Sequence, residues 1–253
     1  PATFELWVRH PGPRRSFLVA AGLGTALEAL EGLRFDEDSL AYLRSLGRFP
    51  EEALDFFSSL RFTGDVWAMP EGTIAFAGEP LLRVTAPIIE AQLVETVLLN
   101  AVGFHTLIAS QAARVTLAAA GRTWVEFGAR RAHGTDAALG AARSAYLGGA
   151  AATSLALAGR EHGIPVTGTM AHSYVLSHRS EQEAFVAFGR AFPRDPVLLI
   201  DTFDTLAGAR AAAAAAAELA AEGIRVAGVR LDSGDLAALA LAVHFRHVAI
   251  REI

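Results

Sequence analysis

The chain has 253 residues, is 52% hydrophobic and 19% charged, and carries a formal net charge of −5. That length and apolar content suit one large domain or two smaller ones and exclude wholesale disorder. Weak acidity with no basic run argues against a nucleic-acid partner. Cysteine and lysine are both absent, all 22 basic residues being arginine. This removes disulfides, thiolate nucleophiles, zinc–thiolate sites, Walker A loops and Schiff-base lysines. The absence of cysteine is compatible with a cytoplasmic location, and "PATFELWVRH" lacks the order of a signal peptide. The alanine-rich "ARAAAAAAAELAA" is too short and too weakly apolar to cross a bilayer, so no membrane partner is expected.

In chain order, "TFELWVR" predicts a strand, "SFLVAAGLGTALEALEGL" a strand running into a helix, and "EEALDFFSSLRF" a short helix. "GDVWAMPEGTIAFAGEPLLRVTAP" alternates between turn residues and predicts a β meander. "IIEAQLVETVLLNAVGFHTLIASQAARVTLAAAG" predicts a long helical stretch, closing an α/β domain over residues 1–119. From residue 120 to 253 one pattern recurs: apolar run, polar cluster, helix. "RTWVEFGARR" precedes an alanine-rich helix from about Thr135 to Gly159. "IPVTGTMAHS" precedes "EQEAFVAFGRAF", "PVLLIDTFDT" precedes "LAGARAAAAAAAELAAEG", and "RVAGVRLDSGDL" follows. This is the βα alternation of a parallel sheet, either open or part of a barrel. In both architectures ligands lie at the carboxyl ends of the strands, where these polar clusters fall, so a shared site is expected.

Each cluster has a chemistry and a plainer alternative. Arg130 and Arg131 suit phosphate groups or surface ion pairs. Asp201, directly behind an apolar run, reads as a site carboxylate, whereas Asp204 and Thr205 read as a helix cap. Arg230, Asp232, Ser233 and Asp235 form a compact polar turn, with Arg230 directed into the site or away from it by the pleat. His172 among small and hydroxyl residues could be a core histidine, a metal ligand, a general base or a phosphate carrier. "GLGTAL" lacks the third glycine of a dinucleotide fingerprint and reads as a helix entry. His105, in an apolar stretch, reads as structural. Paired arginines, several aspartates, one histidine and no lysine together fit phosphorylated-sugar chemistry.

"ATFELWVR", "FLVAAGL", "EFGARRAHG", "GTMAHS", "LLIDTFDT" and "GVRLDSGDL", in this order, resemble the nicotinate phosphoribosyltransferase family over almost the whole chain. The resemblance implies an α/β fold: a partial irregular (β/α) barrel of the phosphoribosyltransferase type II kind, preceded by the α/β domain with its meander. It implies a ligase and glycosyltransferase of NAD salvage, which joins nicotinate to phosphoribosyl pyrophosphate with ATP and Mg²⁺ through a phosphohistidine. A cytoplasmic homodimer is expected of the full-length enzyme. By the same resemblance His172 is the phosphorylated residue, and Thr169, Arg230 and Phe127 contact nicotinate. Arg130, Arg131, Asp201, Asp232, Ser233 and Asp235 serve the phosphates and ribose, with Asp232 and Asp235 as Mg²⁺ ligands. A "TDLYxLTM"-like segment and a GVGT-like loop of the family are not in the sequence, and "LAVHFRHVAIREI" departs from the family's continuation. The chain therefore reads as doubly truncated, with an inactive or partner-dependent fragment, or a nicotinamide or quinolinate enzyme, as alternatives.

Overall fold

The computed structural model describes residues 1–13 and 15–250. Of the divergent ending at 241–253, residues 251–253 therefore lie outside the description. In chain order the elements begin with β1 (Ala2–Trp7), β2 (Leu18–Val19), α1 (Leu23–Glu31), α2 (Glu37–Ser45) and α3 (Glu51–Ser59). There follow β3 (Asp65–Ala68), β4 (Ile74–Ala75), β5 (Pro80–Ala86), α4 (Ile88–Leu93) and α5 (Glu95–Ala119). Then come β6 (Val125–Glu126), a 3₁₀ turn (Ala129–Arg131), α6 (Thr135–Leu147), β7 (Ala152–Thr153) and α7 (Ala156–His162). The last are α8 (His172–Leu176), α9 (Glu181–Ala191), β8 (Val197–Leu199), α10 (Thr205–Ala221), β9 (Gly228–Arg230) and α11 (Leu236–Ile250). The fold is mixed α/β. It divides into two compact units after Thr167, rather than after residue 119.

The first unit is organised by α5. Its apolar face packs Val102, Leu98 and Ala101 against Leu82 and Val84 of β5 and against Leu18 and Leu30. Two hydroxyls on the same helix have a different task. Val19 N–H donates to Ser110 Oγ at 2.9 Å, and Ala21 N–H to Thr106 Oγ1 at 3.2 Å, so α5 satisfies buried backbone groups of β2 and the residues after it. Helix α1 starts at Gly22, whose φ of +95° and tight approach to the Ala101 carbonyl leave no room for a side chain. "GLGTAL" is thus a helix entry.

The meander expected over residues 64–87 is not formed. The three-stranded sheet has the order β1-β5-β3, and β4 instead pairs with β2. The cause is non-local: Gly72 N–H donates to Ala20 O and Ala20 N–H to Thr73 O, drawing the chain across to β2 and leaving β3 and β5 to pair directly. The single helix expected over 135–159 is also broken. Gly148 lies against Ala112, Gly149 has φ +105° against Thr116, and the chain turns there into β7 and then α7. Small residues make this contact close: Ala112, Ala145 and Ala150 pack together with Trp124 alongside. That packing fixes β6, α6 and β7 to α5 and accounts for the unit boundary falling at Thr167. β6 and β7 are parallel, and Thr153 bridges onward to Val166.

The second unit has its own core of Phe185, Leu198, Leu199, Ile200, Leu219, Met170 and Val175. β8 and β9 pair in parallel, with Leu199 opposite Arg230. Ser180 and Asp204 cap α9 and α10 by accepting from Glu183 N–H and Ala207 N–H. Gly208 of α10 is pressed against the Ile200 carbonyl so closely that a Cβ would lie 2.0 Å from it. That approach sets the helix onto the end of β8, next to Asp201.

Candidate functional site

The polar residues that follow β8 and β9 meet those at the start of α8, all within the second unit. Asp201 comes first because it is the most constrained. Its side chain is 1% exposed. Oδ2 accepts from Asp232 N–H and from the Ser233 hydroxyl, both at 2.7 Å. Oδ1 is buried with no hydrogen-bond partner. Asp201 thereby ties the turn after β9 to the end of β8.

His172 is the first residue of α8 and is 40% exposed. Its Nδ1 lies 3.2 Å from Thr202 Oγ1. Its Nε2 faces two carboxylates, Asp232 Oδ2 at 3.6 Å and Asp201 Oδ1 at 3.9 Å. The other oxygen of Asp232 accepts from Arg230 at 2.7 Å, and Arg230 donates to Thr169 Oγ1 at 2.6 Å. The pleat therefore turns Arg230 into this cluster. A continuous polar chain runs Thr169, Arg230, Asp232, His172, Thr202, with Asp201 beneath it. Such a chain can hold an anionic or planar ligand by the guanidinium and present an imidazole whose two nitrogens have different surroundings.

Other candidates lie elsewhere or are engaged differently. Asp235 Oδ1 accepts from Ala238 N–H at 3.1 Å and caps α11. Asp232 is paired with Arg230, and no group of three His, Cys, Asp or Glu among the described residues is placed to hold a metal ion. Phe127, Arg130 and Arg131 belong to the first unit and are exposed on the segment after β6. Arg131 borders a cleft of about 320 Å³ with Phe104, Ile108 and His133. Glu126 of the same motif accepts from Thr153 Oγ1 at 2.7 Å and from Gly128 N–H, which makes it a tie between β6 and β7.

His105 is structural. It is 6% exposed, with Nδ1 2.7 Å from Ser144 Oγ and Nε2 3.3 Å from Thr25 Oγ1. Ser144 gives its own proton to Gly140 O, so the ring donates at Nδ1 and accepts at Nε2. Burial, with the Arg143 guanidinium beside it, holds its pKa below the usual histidine range. Arg143 in turn grips Glu71 through two hydrogen bonds of 2.9 and 2.5 Å and lowers that carboxyl's pKa.

Thr202 is the site residue that sequence reasoning missed. Its only signal was its place directly after Asp201 in "LLIDTFDT". An apolar cleft of about 440 Å³ between α10, β9 and α11 contains none of the candidate residues.

Comparison with known proteins places the chain among its relatives. The model of the nicotinate phosphoribosyltransferase N-terminal domain matches residues 1–103. The chain is 53% identical over 245 residues to nicotinate phosphoribosyltransferase pncB2 of Mycobacterium tuberculosis, covering 97% of this chain and 52% of the relative. It is 43% identical over 238 residues to the nicotinate phosphoribosyltransferase of Bacillus subtilis, covering 94% and 48%. The crystal structure of human nicotinic acid phosphoribosyltransferase matches with a TM-score of 0.85 and 34% identity, over 99% of this chain and 61% of that one. Nicotinate-nucleotide pyrophosphorylase from Pyrococcus furiosus shares the fold, with a TM-score of 0.74, 24% identity, and coverage of 92% and 51%. The chain spans about half the length of the curated relatives it matches.

Proposed function

The chain belongs to the nicotinate phosphoribosyltransferase family, and from that premise we propose that it carries the phosphoryl-accepting half of an enzyme that makes nicotinate mononucleotide. In this reading nicotinate and phosphoribosyl pyrophosphate are joined with release of pyrophosphate, and ATP drives the cycle by phosphorylating His172. The observation that carries it is the setting of His172: a half-exposed ring at a helix start, held at Nδ1 by a hydroxyl and faced at Nε2 by two carboxylates.

The chemistry follows from that setting. A neutral imidazole attacks the γ-phosphorus of ATP, the bond to the bridging oxygen breaks, and ADP leaves with that electron pair. The ring, now cationic, is stabilised by the carboxylates of Asp201 and Asp232. Little covalent work is asked of the protein beyond this, because phosphoryl transfer is mostly positioning and charge neutralisation. Arg230, braced by Thr169 and Asp232, is positioned to receive the nicotinate carboxylate as a planar fork. Arg130, Arg131 and Phe127 are exposed in the first unit, and the roles given them in this reading, guanidinium groups for phosphates and an aromatic face, come from the family resemblance alone. Mg²⁺ in this reading would neutralise the phosphates of ATP and phosphoribosyl pyrophosphate, with Asp232 and Asp235 the carboxylates that the family resemblance gives it.

Within each unit a parallel pair with a helical crossover, β6–β7 in the first and β8–β9 in the second, supports reading these segments as βα units. A homodimer is the assembly this reading gives the full-length enzyme, and light scattering measures it directly. Among the described residues no helix is long and apolar enough to cross a membrane.

The test is phosphorylation of the purified chain with γ-labelled ATP. Acid-labile, base-stable label is expected on the wild type and none on His172→Ala. Equal label on both proteins rejects the assignment.

A further inference from the structure

The two nitrogens of His172 are not equivalent, and Thr202 is the reason on one side. Its hydroxyl lies 3.2 Å from Nδ1, on a half-buried turn fixed at both ends. Before it, Asp201 is held by Asp232 N–H and the Ser233 hydroxyl; after it, Asp204 caps α10. Thr202 therefore has little freedom to move away from the ring through its backbone.

On the other side, among the described residues, Nε2 faces two carboxylates, which are acceptors. Asp232 Oδ2 stands at 3.6 Å and Asp201 Oδ1 at 3.9 Å, the latter buried and without any hydrogen bond. An ionised carboxylate accepts and cannot donate, whereas a hydroxyl does both. One arrangement that suits these partners puts the ring proton on Nε2, facing the carboxylates, with Thr202 donating its hydroxyl proton to the lone pair of Nδ1. A carboxylate that fixes the proton on one nitrogen leaves the other as the nucleophile.

Resting on the phosphohistidine reading above, we propose that Thr202 is a positioning residue for phosphoryl transfer. It holds His172 in the Nε2–H form with the Nδ1 lone pair directed at its own hydroxyl, and it marks the place where the γ-phosphoryl group arrives. In the step itself the Nδ1 lone pair forms the N–P bond and the bond from phosphorus to the bridging oxygen breaks, with its electron pair leaving on ADP. The proton on Nε2 stays where it is, facing Asp232 and Asp201. The Thr202 hydroxyl, released from Nδ1, donates to an oxygen of the transferred phosphoryl group.

Two readouts on the 253-residue chain test this separately. Long-range ¹⁵N–¹H spectra of the imidazoles, with His172 assigned by its loss in His172→Gln, should show the Nε2–H form in the wild type and in Thr202→Ser. In Thr202→Val, which keeps the side-chain shape, the Nδ1 resonance should shift as its hydrogen bond is lost. With γ-labelled ATP, Thr202→Val should be phosphorylated about tenfold more slowly, the scale of one lost hydrogen bond, and Thr202→Ser should recover most of the rate. The product should be the Nδ1 isomer of phosphohistidine. A wild-type ring protonated on Nδ1, an unchanged Nδ1 resonance in Thr202→Val, or label on Nε2 overturns the proposal. Absence of label from the wild type, with the expected tautomer in place, overturns the phosphohistidine reading and with it the transfer step, while leaving the Thr202–His172 bond established.

Discussion

Asp201 allows a sharp test of how the site is built, because its two oxygens do different things. Oδ2 accepts two hydrogen bonds of 2.7 Å, from Asp232 N–H and the Ser233 hydroxyl, and Oδ1 accepts none. Asp201→Ala removes both bonds and leaves a backbone N–H and a hydroxyl without their partner. Hydrogen bonds to a charged group contribute roughly 1.5–3 kcal/mol each, so a loss of about 3 kcal/mol from the second unit is expected. Asp201→Asn should cost about 1 kcal/mol, since an amide oxygen can occupy the place of Oδ2 and accept both bonds more weakly. Its NH₂ would then stand in the place of Oδ1, a donor against the Nε2–H of His172, so phosphorylation should fail in both variants. Trp7, Trp67 and Trp124 all lie in the first unit and are blind to this change. The suitable assay is amide hydrogen exchange across residues 196–236, with far-UV circular dichroism in denaturant. Equal protection of the Asp232 amide in wild type and Asp201→Ala, or equal destabilisation by Ala and Asn, would refute the division of labour between the two oxygens.

Three further outcomes are expected. His105 and Glu71 both have pKa values held below their ordinary 6.5 and 4.5. A depressed pKa contributes stability that is complete above the unfolded value and is lost as pH falls through the folded one. The denaturant midpoint of the first unit, read by tryptophan fluorescence, should therefore be level above about pH 6.5, fall below it, and fall more steeply below about 4.5; a midpoint unchanged from pH 7.5 to 5 removes the buried neutral histidine from the account. Glu181 carries the opposite sign, since burial and the nearby Asp204 raise its pKa, so its charged form weighs against the fold above about pH 4.5. Glu181→Gln should raise the midpoint of the second unit at pH 7 and leave it unchanged at pH 3.5, as circular dichroism can measure. Gly208→Ala places a methyl group into the Ile200 carbonyl and should cost about 1–3 kcal/mol in the same assay, with loss of His172 phosphorylation as the end of β8 shifts; a fully stable, fully phosphorylated variant contradicts the close helix–strand contact.

What the sequence made legible was local. An apolar run that ends on a carboxylate announced Asp201, and the same logic found Arg230 and Asp232 after β9, because strand ends and polar turns are written within a few residues. Asp204 marked a helix start in the same way. Helix α2 carried a comparable signal, Asp36 accepting from Ser39 N–H with Glu37 and Asp38 in the first turn, but its mixed face gave too weak a periodicity to be read. The failures were non-local. The break at Gly148 depends on where Ala112 of α5 lies, and the pairing of β4 with β2 on a loop that crosses between them. Alanine-rich composition hid the first, because it favours helix everywhere and marks no end. Thr202 belongs to the same class. Its bond to His172 joins residues 30 apart in sequence, and nothing in "DTF" distinguishes a hydroxyl that holds a ring from one that faces water.

The same separation explains why the site is economical in residues. Each βα turn must cap a helix and close a strand whatever chemistry it serves, and in this protein those structural bonds also aim the reactive groups. Asp201 Oδ2 closes the turn after β9, and in doing so places Oδ1 beside His172. Asp232 receives Arg230 with one oxygen and faces the imidazole with the other. Because each carboxylate spends one oxygen on the fold and leaves one for the ring, neither can be replaced by a residue with a single acceptor without losing one role. Asparagine at 201 should keep the fold and lose the charge, whereas alanine should lose both. That is a stricter requirement than acidity at a strand end, and it is set by the geometry of the two turns.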